Sequence, residues 1–264
     1  MKSSTEDYLW LNLKALPYFR ALLRAVEAKF YKDINLKHPI LDLGCGDGHF
    51  VTTAFASKID VGIDPWKEPL LEAAQRDAYG LLVQTNGNSL PFKRGHFHSC
   101  ISNSVLEHIE ELSPVLSEVS RVLNSGDLFI FCVPNHNFLE NLSISNLLKL
   151  VGMKKMSSLY QKFFNKISRH QHCNPPDVWE KRLIEAGFTI EKFWHYFSPK
   201  ALHVLEWGHY FGVPSLFVKF VFRRWILIPS RWNLFFTNII VEKYFYEDTA
   251  KENGSYTFYI TRKK

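Results

Sequence analysis

Leu41-Asp42-Leu43-Gly44-Cys45-Gly46-Asp47-Gly48 is the stretch on which the fold turns. Ile40-Leu41-Asp42-Leu43 is strand-like, alternate glycines follow it, and a helical pattern begins near Phe50. Glycine permits tight turning and close approach of the backbone to a ligand. A strand, a Gly-rich turn and a helix in that order aim helix amides at the turn, where a carboxylate or phosphate binds. Asp64 ends the next apolar run, Val61-Gly62-Ile63. It lies about 20 residues on, where an acidic side chain meets a ribose diol in nucleotide-binding α/β sheets.

Outward from this turn, strand and helix signals alternate. Residues 8–31 read as helix, with Pro17 opening a second stretch and Phe19, Leu22, Leu23, Val26 and Phe30 at helical spacing. A helix is predicted over 67–79, closed by Gly80, then strands over 81–83 and 97–102. Ser113 as cap and Pro114 in the first turn open a further helix, and 128–133 is a fifth strand. Asn174-Pro175-Pro176-Asp177 starts a helix that stops at Gly187, 188–193 is a sixth strand, and 255–261 alternates like a last one. Such alternation predicts a parallel sheet with ligands at the carboxyl ends of its strands.

Composition narrows the class. The chain has 264 residues, 46% of them hydrophobic, enough for a large core. A net charge of +6 favours anionic partners, but no Lys/Arg-rich run stands out, which argues against nucleic acid. The four cysteines form no C-x-x-C pair and sit mostly in apolar runs, which reads as reduced cytoplasmic thiols. Met1 to Tyr8 is polar and charged, so no signal peptide is expected, and no apolar run has the ~20 residues of a spanning helix.

The Gly-rich run resembles motif I of the class I S-adenosylmethionine-dependent methyltransferases, whose broad group carries LDLGCGxG. Further segments resemble that family in order: Val61-Gly62-Ile63-Asp64, Asn88-Ser89-Leu90-Pro91-Phe92, Ile101 through Val105-Leu106-Glu107-His108-Ile109, Arg121-Val122-Leu123-Asn124-Ser125-Gly126-Asp127, and Trp179 through Ala186-Gly187-Phe188. The resemblance covers roughly residues 38–196 and the last strand. It implies a Rossmann-like, seven-stranded, mostly parallel sheet with helices on both faces, and S-adenosyl-L-methionine as cofactor. Residues 1–35 would form a helical lid. Residues 36–264 would form the methyltransferase domain, with insertions at 136–172 and 198–248 as a substrate cap.

Carried over by residue, Asp42 and the loop of Gly44, Cys45, Gly46 and Gly48 would hold the methionine end. Asp64 would take the ribose hydroxyls, with Pro65 or Trp66 beside the adenine. Asn86 stands where the family often has an Asp that reads the adenine amino group; an amide oxygen can accept the same bond. Asn88 and Asn103, on the third and fourth strand ends, complete the implied cofactor set. His98 replaces a common Asp and reads as a local variant.

The methyl acceptor is far less legible. Methyl transfer demands alignment of nucleophile, methyl and sulfur, and an O- or N-nucleophile needs a base. The candidate bases are His108 after the fourth strand, His136 after the fifth, and His170 and His172 before the helix at Asn174. Each has a plainer reading as a loop or structural residue, and Glu107 reads as a cofactor-pocket or helix-start residue. His170, His172 and Cys173 lack a further clustered ligand, so no metal is expected. Residues 198–248 are rich in Trp, Phe and Tyr with Arg interspersed. They read as a helical cap packed on the sheet, as a greasy pocket for a small or lipid-like acceptor, or as a peripheral membrane surface. Pro214 and Pro229 break them into short helices. Competing readings of the whole chain are a non-catalytic cofactor-binding scaffold, a peripheral membrane protein and an NAD-dependent oxidoreductase; the glycine spacing opposes the last.

Overall fold

A computed structural model describes residues 5–248 and 252–264. In chain order the elements are α1 (Thr5–Leu13), α2 (Tyr18–Phe30), β1 (Ile40–Leu43), α3 (His49–Ala54), β2 (Ile59–Asp64), α4 (Lys67–Ala74), β3 (Tyr79–Gln84) and β4 (Phe97–Asn103). After a single 3-10 turn (Leu106–His108) come α5 (Leu112–Val122), β5 (Leu123–Pro134), α6 (Asn137–Glu140), α7 (Ser143–Leu150), α8 (Lys154–Ser168), α9 (Pro176–Glu185) and β6 (Phe188–Tyr196). Then follow α10 (Pro199–Phe211), α11 (Val213–Phe222), α12 (Phe235–Phe245) and β7 (Tyr256–Lys263). The expectation about Met1 to Tyr8 lies partly outside the described residues.

The seven strands form one sheet in the order β3-β2-β1-β4-β5-β7-β6. β1 to β5 run parallel, and β7 is antiparallel to both β5 and β6. This is the Rossmann-like α/β sheet expected from the sequence. Alternation along each strand feeds two cores. Phe129, Phe131 and Val133 of β5 pack with α5 and α9 residues such as Leu116, Trp179 and Leu183 on one face. Ile130 and Cys132 pack with α1, α2, α10 and α12 on the other, through Leu13, Leu22, Leu205 and Phe245. The carboxyl ends of β1, β2, β4 and β5 share one edge, and the reversal of strand order beside β1 opens a crevice there.

Several local expectations need correction. α4 ends at Ala74, and Gly80 is inside β3 instead of closing the helix. A side chain at Gly80 would approach the Asp60 carbonyl oxygen at 3.0 Å, so close backbone packing explains this glycine. α5 starts at Leu112, and no side chain caps it, so Ser113 lies within its first turn. β5 begins at Leu123 and bulges against β4 between Phe97 and Ser99, which absorbs the turn-like Asn124-Ser125-Gly126. His98 is tied to Asp127 on β5, with Nδ1 2.6 Å from Oδ2.

Candidate active site

The loop after β1 is held by its backbone. The amides of Gly44 and Cys45 both donate to the Ile63 carbonyl at 2.9 Å, and that of Gly46 donates to Asp64 Oδ2 at 3.0 Å. Gly44 and Gly46 have φ of 77° and 54°, left-handed values that side chains resist. At Gly44 a Cβ would lie 2.4 Å from Val105 Cγ1, whereas at Gly46 it would meet only open space. The first glycine serves packing, and the second borders open space. Asp64 Oδ1 also accepts from the Trp66 amide at 2.9 Å, so two main-chain donors fix this buried carboxylate.

Three cavities run along this edge. One, of about 650 Å³, is lined by Asp64, Pro65, Asn86, Asn88, Gly44 and His108. The second, of about 440 Å³, is lined by Asp42, Gly44, Cys45, Gly46, Asn103 and His108 among others. The cofactor positions named from the sequence therefore line two adjoining cavities, except Gly48, which packs against Tyr79 and Ala73 instead. The third is a chamber of about 160 Å³ holding Glu107, His108, His170 and the rings of Phe19, Phe138 and Tyr256. It shares Arg20, Arg24, Ser104 and His108 with the second cavity.

Electrostatics differ along the row. Asp42 is buried and accepts from the Tyr79 hydroxyl at 2.7 Å. Burial raises its pKa to about 7 against the opposing pull of that bond, with Asp64 adding to the rise. Glu107 is buried too, and its Oε2 has no hydrogen-bond partner among the described residues. Burial raises its pKa to about 8, opposed by its backbone and by Arg24. A carboxyl that titrates near neutrality in a small cavity is suited to proton transfer.

α2 supplies groups that the sequence reading missed. Arg20 and Arg24, one helical turn apart, face the second cavity and the chamber. Glu27, one turn further, is fully buried and accepts from Arg24 Nη1 at 2.9 Å, Asn103 Nδ2 at 2.7 Å, Ser104 Oγ at 3.1 Å and Tyr196 Oη at 2.8 Å. Asn103 thus spends its amide on Glu27, while its Oδ1 accepts from Cys132 Sγ at 3.0 Å. The missed signal is the spacing itself: Arg20, Arg24 and Glu27 share one side of a helix whose apolar side is already buried.

The four histidines are not equivalent. His108 Nδ1 donates to the Arg169 carbonyl at 2.9 Å, which leaves Nε2 as the acceptor, 3.9 Å from Glu107 Oε1. The His170 ring lies 5.5 Å from the His108 ring, and burial, with repulsion from His108 and His209, lowers its pKa to about 3. His172 Nε2 donates to the Ile109 carbonyl at 2.9 Å, outside the chamber. His136 is exposed beside His195, its ring 6.0 Å away. The structure therefore brings His108 and His170 together with Glu107, and leaves His136 and His172 apart.

Residues 41–131 match the family described as a methyltransferase domain. An uncharacterized methyltransferase of Mycobacterium sp. (strain JLS) is 33% identical over 93 residues, which cover 34% of this chain and 36% of that protein. The match thus spans about a third of the length of such curated relatives. An uncharacterized protein of Methanocaldococcus jannaschii is 30% identical over 153 residues, covering 58% of this chain and 68% of the relative. Among solved structures, a SAM-dependent methyltransferase from Thermotoga maritima aligns with TM-score 0.55 at 14% identity, over 98% of this chain and 94% of the other. Geranyl diphosphate C-methyltransferase from Streptomyces coelicolor, in complex with Mg2+, geranyl diphosphate and S-adenosyl-L-homocysteine, also gives 0.55 at 14%, over 92% and 82%. The structural likenesses speak for the fold. Residues 41–131 thus form a methyltransferase domain, carried on a sheet of the fold shared with S-adenosylmethionine-dependent methyltransferases.

Proposed function

We propose that this protein transfers a methyl group from S-adenosylmethionine to a small acceptor with an apolar body and a polar, protonated nucleophile. The observation that carries this reading is the continuity of the cavities through His108, from the cradle at Gly46 to the chamber holding Glu107.

The residues present fit the cofactor. In this reading Asp64 accepts from the ribose hydroxyls, and Pro65, Asn86 and Asn88 border the adenine. The open space at Gly46 and the neighbouring Gly44, Cys45 and Asn103 receive the methionine end. Asp42 takes its ammonium, which would hold that carboxyl ionised, and Arg20 and Arg24 face its carboxylate. α3 has only six residues, so these guanidinium groups replace helix amides as the main anion site. When bound, the cofactor supplies a methyl group on an activated sulfonium centre.

The chain supplies alignment, exclusion of water and a proton acceptor. α1 and α2 act as the lid and the insertions at 136–172 and 198–248 as the substrate cap, and the chamber is lined by α2 and by both insertions. Rings of Phe19, Phe138 and Tyr256 hold the acceptor body. Glu107, ionised, takes the proton of the nucleophile, and His108 orients beside it. His170 stays neutral and serves as a wall, since a base of such low pKa gains little from protonation. The acceptor of the Streptomyces relative, a prenyl chain with a charged head, illustrates the mixed chemistry that such a chamber would admit.

The test is transfer of labelled methyl from S-adenosylmethionine into small-molecule and lipid fractions. Labelling by the wild type that Glu107→Gln abolishes supports this reading. Equal labelling by the variant removes Glu107 as base, and cofactor binding with no labelling in any fraction favours a non-catalytic scaffold.

A further inference from the structure

The cap carries a surface that the chamber does not use. No residue of α11 is buried, although Leu216, Phe217, Phe220, Val221 and Phe222 lie on it. Phe220 is 82% exposed, Trp232 74% and Phe236 76%, and Phe235, Ile239 and Ile240 of α12 are open as well. Scattered exposed apolar residues are ordinary, but large ones crowded along two helices, both packed on α10, mark an interaction surface.

Charge says what covers it. Between Phe211 and the end of α12 at Phe245 stand Lys219, Arg223, Arg224, Arg231 and Lys243, against a single acidic residue, Glu242. Among the described residues no ion pair engages Arg223 or Arg224, while Arg231 lies over the Trp10 ring, 5.0 Å from its centroid. A second copy of the chain on this face would press like charges together inside an apolar contact. An anionic bilayer meets both demands, because rings enter the acyl boundary while cations reach the headgroups. Among the described residues no helix is long and apolar enough to cross a membrane, so such a surface lies on the bilayer and does not span it.

The inner side of α11 is tied to the cofactor cavity. Lys219 Nζ is 3.2 Å from Glu72 Oε1 on α4, and both line that cavity. Trp225 stands under Arg20, whose guanidinium carbon is 5.7 Å from the ring centroid. We propose that α11 and the segment through α12 form a docking face for anionic lipid surfaces, seating the mouth of the cofactor cavity at the membrane. The face is separate from the acceptor chamber and does not depend on its chemistry.

Co-sedimentation of the full chain with vesicles tests this. Phosphatidylcholine vesicles with and without a third of phosphatidylglycerol should separate the two contributions. Binding to the anionic vesicles is expected, weakening about fivefold for each charge removed in Arg223→Ser and Arg224→Ser. Phe220→Ser with Phe236→Ser should abolish it, with unchanged circular dichroism and unchanged calorimetric affinity for S-adenosylhomocysteine. No binding to anionic vesicles, or equal binding by the Phe220→Ser, Phe236→Ser double variant, overturns the proposal. So does a wild-type dimer in sedimentation velocity that the same variant makes monomeric, since the face then joins copies of the chain.

Discussion

The loop after β1 and the helix α2 meet across the same cavity, yet they are held in different ways. The loop is fixed by neighbours in sequence and by main-chain bonds to Ile63 and Asp64, so it needs glycines in particular places. α2 is fixed by one buried carboxylate, Glu27, that gathers donors from its own helix, from β4 and its end, and from β6. The floor of the site is therefore encoded locally, and its roof by contacts between distant segments. Damage to the floor should cost ligand affinity first, and damage to the roof should cost stability first.

Glu27→Ala should sharpen that contrast most. It strands the Arg24 guanidinium and three further donors, and breaking a buried pair in this way costs about 3–5 kcal/mol. Chemical denaturation would measure it, and a loss under about 1 kcal/mol would mean that α2 is held by its apolar face alone.

Glu107→Gln keeps the shape and removes the proposed base. Turnover should fall by about 100- to 10,000-fold while cofactor affinity holds. Wild-type turnover should rise with pH towards a plateau above about 8, because the ionised carboxyl is the active form. Stability should show the opposite sign. A carboxyl raised from its ordinary range to about 8 favours the folded state below the unfolded pKa, and this stabilisation is lost as pH rises through about 8. The Gln variant should lack that part of the slope in denaturation series across the window.

Asp64→Ala removes the carboxylate acceptor beside the largest of the three cavities on this edge. A hydrogen bond to a charged group contributes about 1.5–3 kcal/mol, so cofactor affinity should drop roughly 10- to 150-fold. Gly44→Ala forces a left-handed alanine against Val105, and the backbone alone costs about 1–2 kcal/mol. At the other end of the scale, His136→Ala should change stability by no more than about 0.5 kcal/mol and leave turnover intact. A large loss there would return His136 to the acceptor site.

The sheet was legible because its strands are short apolar runs separated by turn residues, and the motif residues lie near one another along the chain. Asp42, Gly44, Gly46 and Asp64 could be named as candidates from the sequence, and all four line the two cavities. Local misreadings came from residues with two uses. Gly80 looks like a helix stop but serves close packing against Asp60, and Ser113 looks like a cap but lies inside its helix. The roof was not legible for a different reason. Nothing near Glu27 in sequence announces Asn103 or Tyr196, and a Glu on an amphipathic helix reads as solvent-facing until the sheet beneath it is known. Glu107 was undervalued likewise, since its burial is set by α2 and by the segment around His170.

The central claim is that the cavities at Gly46 and Asp64 hold the cofactor and open on a separate chamber at Glu107. Calorimetric titration of S-adenosylhomocysteine into the wild type, Asp64→Ala and Glu107→Gln tests it most directly, with NAD as control. Tight binding by the wild type and Glu107→Gln, strong weakening by Asp64→Ala and no heat from NAD are the predicted results. Unchanged affinity in Asp64→Ala, or preference for NAD, would contradict it.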